Sequence, residues 1–114
     1  MLIYKILRPA EWESFEQAGS FAGSHDDTRD GFIHCSSRAQ VAATATRIFA
    51  QEPQLVVIAL DTDRLLSDLR WEPSSSGEAF PHVYCPLTSA AVVAVHRAAG
   101  AAQVESVLAA AGLA

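Results

Sequence analysis

Two short segments, residues 31–40 (GFIHCSSRAQ) and 80–85 (FPHVYC), carry the side chains with the clearest chemical potential in this sequence. Each contains one histidine, His34 and His82, in a short run typical of a buried strand. A small core has little structural need for two histidine-bearing strands. We therefore expect the two imidazoles to open into a shared hollow and to act in proton transfer. The alternative is that both histidines are merely hydrogen-bonded within the core.

The first segment also has the features of an anion site. Ser37 and Gln40 stand three residues apart, as in a capping box, so a strand is expected to turn into a helix N-terminus here. Free N–H groups and the helix dipole favour negative charge at such a point. Ser36, Ser37 and Gln40 are therefore predicted ligand-binding residues, and Lys5 is expected to hold phosphate with them. A capped helix without any ligand is the ordinary alternative.

Aromatic and acidic side chains near the second segment could complete a pocket. Trp71 or Tyr84 could stack on a planar ring, and Glu72 could orient a sugar or transfer protons together with the two histidines. Strand alternation puts Trp71 and Glu72 on opposite sides of their strand. For Trp71 a core position is favoured over a pocket position. His25 and His96 are interpreted as solvated surface residues.

Metal and thiol chemistry are weaker hypotheses. Histidine and cysteine are zinc-ligand types. Strand alternation, however, points His34 and Cys35 to opposite faces, and it does the same for His82 and Cys85. No CxxC or HxxxH spacing is present, so no metal site is predicted. Cys35 precedes a helix N-terminus, which favours a thiolate nucleophile, whereas most buried cysteines only pack. A thiol-dependent transferase stays open.

Composition limits the class of protein. The chain has 114 residues, enough for one domain, with 50% hydrophobic and 18% charged residues. A net charge of -5 and a pI near 5.2 argue against a broad basic surface for nucleic acid. No signal peptide or membrane span is expected, and two cysteines without a targeting segment favour a cytoplasmic protein with free thiols. The partner expected is a small molecule, and no oligomeric state follows.

Hydrophobic patterning predicts a single α+β domain with a core of residues 2–97 and a C-terminal helical tail at 101–111. The predicted strands cover 2–7, 32–35, 55–60, 69–72, 80–84 and 91–96, and the predicted helices cover 9–18 and 38–49. Residues 20–30 are expected to form a loop, and residues 61–66 a turn with one turn of helix. The run 55–60 is typical of a central strand, Pro81 indicates an edge or strand-entry position, and residues 32–60 are compatible with a right-handed crossover.

Several of these positions together carry a family resemblance, which extends over nearly all of residues 2–96. They are Ile3-Tyr4-Lys5-Ile6, Trp12, residues 31–36, Gln40, Trp71-Glu72, residues 80–84 and Pro86-Leu87. With them the chain resembles the bacterial domain-of-unknown-function family number nine-five-two. The resemblance implies a fold similar to the ADP-ribosyltransferases, in which two small split sheets flank a cleft that binds NAD. It also implies aromatic walls for nicotinamide and a glutamate that stabilises an oxocarbenium-like transition state.

Two departures modify what the resemblance implies. Lys5 stands where many family members have histidine, and His82 lies on the strand expected to supply the glutamate, which leaves Glu72 or Glu78. The predicted catalytic residues are thus His34, Glu72 and His82. No cofactor is assigned, and NAD is a candidate substrate. The alternative to a transferase is a non-catalytic module that senses a ligand or binds a partner.

Overall fold

Eight strands and four α-helices make up the described residues, 1–65 and 68–113, of this computed structural model. The strands are β1 (Leu2–Leu7), β2 (Ser20–Phe21), β3 (Ile33–His34), β4 (Leu55–Asp61), β5 (Leu69–Pro73), β6 (Ala79–Val83), β7 (Leu87–Thr88) and β8 (Val92–Ala98). The helices are α1 (Pro9–Ala18), α2 (His25–Asp30), α3 (Val41–Ile48) and α4 (Val104–Ala110). Short 3₁₀ turns cover Thr62–Arg64, Ser89–Ala91 and Ala101–Gln103. The predicted α+β class is confirmed.

The first sheet has the strand order β1-β4-β8 and is antiparallel throughout. Its central strand β4 is buried from Leu55 to Leu60, which confirms the prediction from that continuous apolar run. Alternate β4 side chains enter two different cores. Val56, with its same-face neighbours, joins the core under α1, and Val57, with its own, joins the core under α3 and α4.

The C-terminal segment belongs to the second core. Val104 and Leu108 of α4 are fully buried against it. Arg38 adds a two-pronged ion pair to Glu105, with N–O distances of 2.9 and 2.7 Å. The prediction set residues 101–111 apart as a tail, whereas the packing includes them, because the apolar face of α4 covers the sheet.

The third sheet has the order β3-β6-β5 and supplies most of the site. Pro81 is the third of the five residues of β6, the middle strand of this sheet, so the expected edge or strand-entry position is wrong. The β3 ladder pairs only with His82 and Val83, and therefore no β3 carbonyl needs a donor from Pro81. A small two-stranded sheet, β2 with β7, completes the architecture.

One helix matches the prediction and the others depart from it. α1 begins and ends as predicted, and Gly19 ends it at a φ of 77°. The expected loop at 20–30 contains β2 and α2, and α3 begins later than predicted, at Val41. The predicted right-handed crossover is wrong, because β3 and β4 lie in different sheets.

Thr62–Arg64 forms the expected helical turn, and Asp61 caps it. The predicted end of this turn, Leu66, lies outside the described residues. In the described residues no helix combines the length and apolarity needed to cross a membrane.

Candidate functional site

A cleft of about 230 Å³ is lined by residues of β1, α2, β3, α3 and β6. Lys5 comes from the first sheet, His34 and His82 come from the third, and Asp27 comes from α2. The cleft is thus walled by two sheets and by the helices that follow β2 and β3. Of the predicted site residues, Lys5, His34, Ser36 and His82 line it.

His34 and His82 are direct partners across the antiparallel pair β3 and β6. Their ring centroids lie 5.7 Å apart in an edge-on arrangement. Side chains of paired residues project to the same face of a sheet, which explains why two positions so distant in the chain meet. The predicted meeting of the two imidazoles is confirmed. Their chemical role stays a prediction.

His34 is held by two carboxylates of α2. Its Nδ1 lies 2.6 Å from Asp27 Oδ1, and its Nε2 lies 3.0 Å from Asp30 Oδ2. Only the imidazolium form can donate from both ring nitrogens at once. With both nitrogens engaged inside the protein, His34 fastens α2 to β3 and has no nitrogen free for a ligand in this arrangement.

Asp27 is the buried centre of this network. Its carboxylate accepts hydrogen bonds from Lys5 Nζ at 3.1 Å, from the His34 backbone N–H at 3.0 Å and from the Ser24 backbone N–H at 2.9 Å, besides the His34 ring. Burial alone would raise the pKa of Asp27. The hydrogen bonds from His34 and the charge of Lys5 outweigh it and hold this pKa well below its usual range.

Lys5 is only 5% exposed, and its ammonium group is engaged inside the protein. Nζ lies 2.9 Å from Asp27 Oδ2 and donates to the His34 carbonyl oxygen at 2.9 Å. Its charge is therefore compensated by Asp27. The expected phosphate contact does not fit this position, because Lys5 would have to leave Asp27 as a buried, unpaired carboxylate.

His82 is oriented from behind by Glu72 and Tyr84. Its Nδ1 lies 2.8 Å from Glu72 Oε1, and the same oxygen accepts the Tyr84 hydroxyl at 2.6 Å. The Tyr84 and His82 hydrogen bonds lower the pKa of Glu72, and the bond to Glu72 raises the pKa of Tyr84. The ring of Phe32 stacks on that of His82 at a centroid distance of 3.9 Å.

The Glu72 contact has a chemical consequence for His82. An ionised carboxylate only accepts hydrogen bonds, so the neutral imidazole carries its proton on Nδ1 and its lone pair on Nε2. No described residue forms a hydrogen bond with Nε2. His82, which lines the cleft, therefore has one ring nitrogen without a hydrogen-bond partner among the described residues.

The capping pair exists but does not form the expected anion site. Ser37 N–H donates to Gln40 Oε1 at 3.0 Å, and Gln40 N–H donates to Ser37 Oγ at 3.2 Å. However, α3 begins only at Val41, and the Gln40 amide donates to the Ala79 carbonyl at 2.7 Å. Neither side chain lines the cleft. Ser36 does line it, and its hydroxyl donates to Thr44 Oγ1 at 3.1 Å.

Trp71 lies away from the site. It pairs with Pro81 and projects to the face of β5 opposite to Glu72. The residue is 42% exposed and does not line the cleft, so it is neither a core residue nor a cleft wall. Tyr84 is 37% exposed and carries the Arg70 guanidinium over its ring at 4.7 Å. Tyr84 and Glu72 do not line the cleft and are linked to it through His82.

The remaining histidines and the thiol take other positions. Burial raises the pKa of the Cys35 thiol to about 12, which contradicts its use as a thiolate nucleophile near neutral pH. His96 is not solvated as predicted, because its Nε2 is buried without a hydrogen-bond partner among the described residues. His25 is exposed, at the start of α2 rather than in a loop. In the parts of the chain that the structure describes, no three potential metal ligands cluster.

The family comparison supplies the identity of the chain. The family described as "Protein of unknown function (DUF952)" matches residues 6–95. The chain belongs to this family. That membership agrees with the resemblance found in the sequence, and the family has no assigned activity. No curated protein matches the chain.

Solved structures similar to this DUF952 chain come from Caulobacter crescentus. In the crystal structure of protein CC0527, the matched region is 43% identical in sequence and has a TM-score of 0.78. It covers 86% of this chain and 84% of the CC0527 chain. The solution NMR structure of CC0527 is also 43% identical, covers 86% of this chain and 83% of its own, and has a TM-score of 0.73. The α+β fold of this chain therefore has experimental counterparts in a similar protein.

Sequence reasoning missed several residues that line the cleft of this DUF952 chain or hold its His34 in place. Asp27 and Asp30 were assigned to a loop, although Ser24 and Asp27 have capping-box spacing and Gly31 follows as a helix stop. That pattern could have identified α2. Arg47 and Phe80, whose guanidinium carbon and ring centroid lie 5.7 Å apart, also line the cleft. No short-range pattern pairs these two positions, because they meet only in the tertiary structure.

Proposed function

We propose that this cleft binds a nucleotide-like, phosphorylated small molecule and that His82 acts there as the general base of a group transfer. NAD is the first candidate substrate. One observation carries the proposal: an imidazole lines the cleft with Nε2 free of described protein partners, while Glu72 fixes Nδ1 at 2.8 Å. Carboxylate-oriented histidine is a recurrent arrangement for proton transfer.

The fold supports the same direction. Two three-stranded sheets contribute to the walls of the cleft, as the resemblance to ADP-ribosyltransferases leads one to expect. An ADP-ribosyltransferase-like fold is therefore part of the proposal. Fold likeness alone does not give chemistry, so the proposal depends on the site.

In the proposed reaction, an acceptor hydroxyl oxygen forms a bond to C1′ of the nicotinamide ribose. The C1′–N bond breaks, nicotinamide leaves as a neutral molecule, and the acceptor proton moves to Nε2 of His82. Glu72 then stabilises the imidazolium through Nδ1. Glu72 is thus a positioning residue for His82 rather than the carboxylate beside the sugar, and His34 holds the wall of the cleft.

The first experiment measures binding and turnover separately. Thermal shift with NAD, ADP-ribose and nicotinamide mononucleotide reports binding, because a ligand of the folded state raises the midpoint. Release of nicotinamide from NAD, with water and added small alcohols as acceptor hydroxyls, reports turnover. Replacing His82 with Gln should lower turnover by about 10²- to 10⁴-fold with little change in ligand affinity. His25→Gln, an exposed α2 histidine outside the cleft, is the matched control.

The outcomes separate the functional classes. Binding without turnover in the unmodified protein would favour a ligand-sensing module. Equal turnover in the His82 and His25 variants would remove the assigned base. Failure of every compound to shift the midpoint would contradict the binding proposal itself.

A further inference from the structure

Three basic side chains line the cleft, and they differ in their partners. Lys5 is buried against Asp27. Arg29 is paired with Asp26 at 3.3 Å and with Asp30 at 3.0 Å. Within residues 1–65 and 68–113, no carboxylate pairs with Arg47, the third. Arg47 is therefore the cleft cation that is available to an incoming anion.

The position of Arg47 suits an anion contact. It lies on α3, and its guanidinium carbon is 5.7 Å from the centroid of the Phe80 ring. Phe80 is only 7% exposed, and it shares the face of β6 with His82 two residues on. A guanidinium that contacts an aromatic face is held in orientation while its edge donors stay free, and those donors match a phosphate in pairs.

The charge of the cleft has the sign that a phosphate requires. Its ionised lining residues are the three cations Lys5, Arg29 and Arg47 and the two anions Asp26 and Asp27, which leaves one positive charge before the histidines are counted. The whole chain carries -5. An acidic protein thus has a cleft with a surplus cation, and that surplus corresponds to Arg47.

The size and the hydroxyl groups of the cleft limit the ligand. A volume of about 230 Å³ lies below the roughly 300–1,000 Å³ of pockets that enclose a drug-sized molecule. One sugar phosphate or mononucleotide fits this scale better than a complete dinucleotide. The side chains of Ser24, Thr44 and Ser74 also line the cleft, and their hydroxyls suit the polar rim of a ribose.

We infer that Arg47 binds the phosphate of the ligand, and that the unit recognised inside the cleft is a single phosphorylated sugar or mononucleotide. This inference rests on the proposed function, since it assumes that the cleft binds a phosphorylated molecule. It assigns the phosphate contact to α3 instead of to Lys5 and the turn at Ser37. For a dinucleotide such as NAD, the second nucleotide lies outside the cleft.

The test uses pairs of compounds that differ only by one phosphate: nicotinamide mononucleotide with nicotinamide riboside, and AMP with adenosine. Isothermal titration measures their affinities for the unmodified protein, R47A, R47K and R97A. Arg97 is the matched control because it is an exposed arginine on β8, outside the cleft. Circular dichroism checks that each variant is folded. Because Arg47 is exposed, its replacement is expected to leave the fold intact.

The phosphorylated member of a pair should bind about 10- to 100-fold more tightly than its partner. R47A should abolish that difference without changing the affinity for the riboside or for adenosine. R47K should retain part of it, and R97A all of it. The affinity for NAD should exceed that for the tighter-binding mononucleotide by a few-fold at most.

Each other result overturns a defined statement. Equal affinities within both pairs, or a phosphate preference that survives R47A or is equally lost in R97A, would overturn the Arg47 assignment while leaving the proposed function intact. Much tighter binding of NAD than of either mononucleotide would overturn the single-unit cleft. No binding by any of the four compounds or by NAD would overturn the proposed function as well.

Discussion

Asp27 joins three parts of the molecule through one carboxylate. It receives Lys5 from the first sheet, His34 from the third sheet and the Ser24 backbone from the start of α2. A buried ion pair contributes little net stability when intact, but removal of one partner leaves an uncompensated buried charge. The network is therefore expected to matter most when it is broken.

Asp27→Ala should lower the free energy of unfolding by about 3–5 kcal/mol, because Lys5 loses its counter-charge and stays buried. Asp26→Ala is the control, since Asp26 pairs with Arg29 in an exposed position and should change stability by less than about 0.5 kcal/mol. Urea unfolding at pH 7 gives both values. Equal effects of the two substitutions would contradict the role of Asp27.

The pH dependence gives the same test a direction. The folded pKa of Asp27 is lowered relative to its unfolded pKa of about 3.9, so the unfolded state binds more protons in this range. The contribution of Asp27 is thus complete above about pH 4 and is lost as the pH falls further. Between about pH 4 and pH 2, the stability of Asp27→Ala should fall less steeply than that of the unmodified protein.

The tautomer of His82 can be measured directly. Because Glu72 accepts from Nδ1, long-range ¹H–¹⁵N correlation of neutral His82 should give an Nε2 shift typical of an unprotonated nitrogen. Glu72→Gln should weaken this preference, and Glu78→Gln, on the neighbouring loop, should not alter it. A protonated Nε2 in the neutral unmodified protein would contradict the assignment of His82 as base.

At the residue scale, the sequence was informative where the alternation of side chains along a strand determines which face each residue occupies. It placed Trp71 and Glu72 on opposite faces of their strand, as the structure does. It could not predict that Lys5 is neutralised by Asp27, because the two are 22 residues apart and meet through a helix that was not foreseen.

α2 is an element held by polar contacts rather than by an apolar face. Its residues are HDDTRD, and only Asp27 among them is buried. A six-residue polar helix has no hydrophobic periodicity, so pattern analysis assigned it to a loop. Its ends carried the usable signal, since Ser24 caps it and Gly31 closes it at a φ of 86°. α1, with an apolar face and a proline start, was predicted correctly.

Gly23 should tolerate no side chain before this helix. Its φ is 123°, and an added Cβ would lie 2.8 Å from the Cβ of Asp27. Gly23→Ala should therefore destabilise the fold by about 1–3 kcal/mol and increase hydrogen exchange in α2. Gly77→Ala also has a positive φ but meets no atom within 4 Å, so it controls for backbone strain alone. Similar losses at Gly23 and Gly77 would show that the contact with Asp27 is unimportant.

The whole molecule consists of two cores on either side of the sheet β1-β4-β8. Continuous apolar runs predicted the central strand of that sheet, and they did so because both faces of β4 are covered. The division into three sheets could not be predicted, since strands of two residues such as β2, β3 and β7 are defined by their partners. The cleft depends on that division.

α4 should contribute to the global stability of the fold. Leu108 is fully buried, so Leu108→Ala should cost about 2–5 kcal/mol through lost contacts and a cavity. Leu2→Ala is the control, because Leu2 is 36% exposed and should cost much less. Chemical denaturation followed by circular dichroism measures both. A small effect at Leu108 would contradict this contribution of α4 to the core.

The most direct test of the account is a ¹H–¹⁵N titration of the unmodified protein with nicotinamide mononucleotide. If the cleft is the binding site, shift changes should concentrate in residues that line it on both walls: His34, Ser36, Thr44, Arg47 and His82. The strand β8, which contributes no residue to the cleft lining, should stay unchanged. Shift changes confined to β8 or to α1, or no change at millimolar ligand, would contradict the claim that these two histidines share a ligand site.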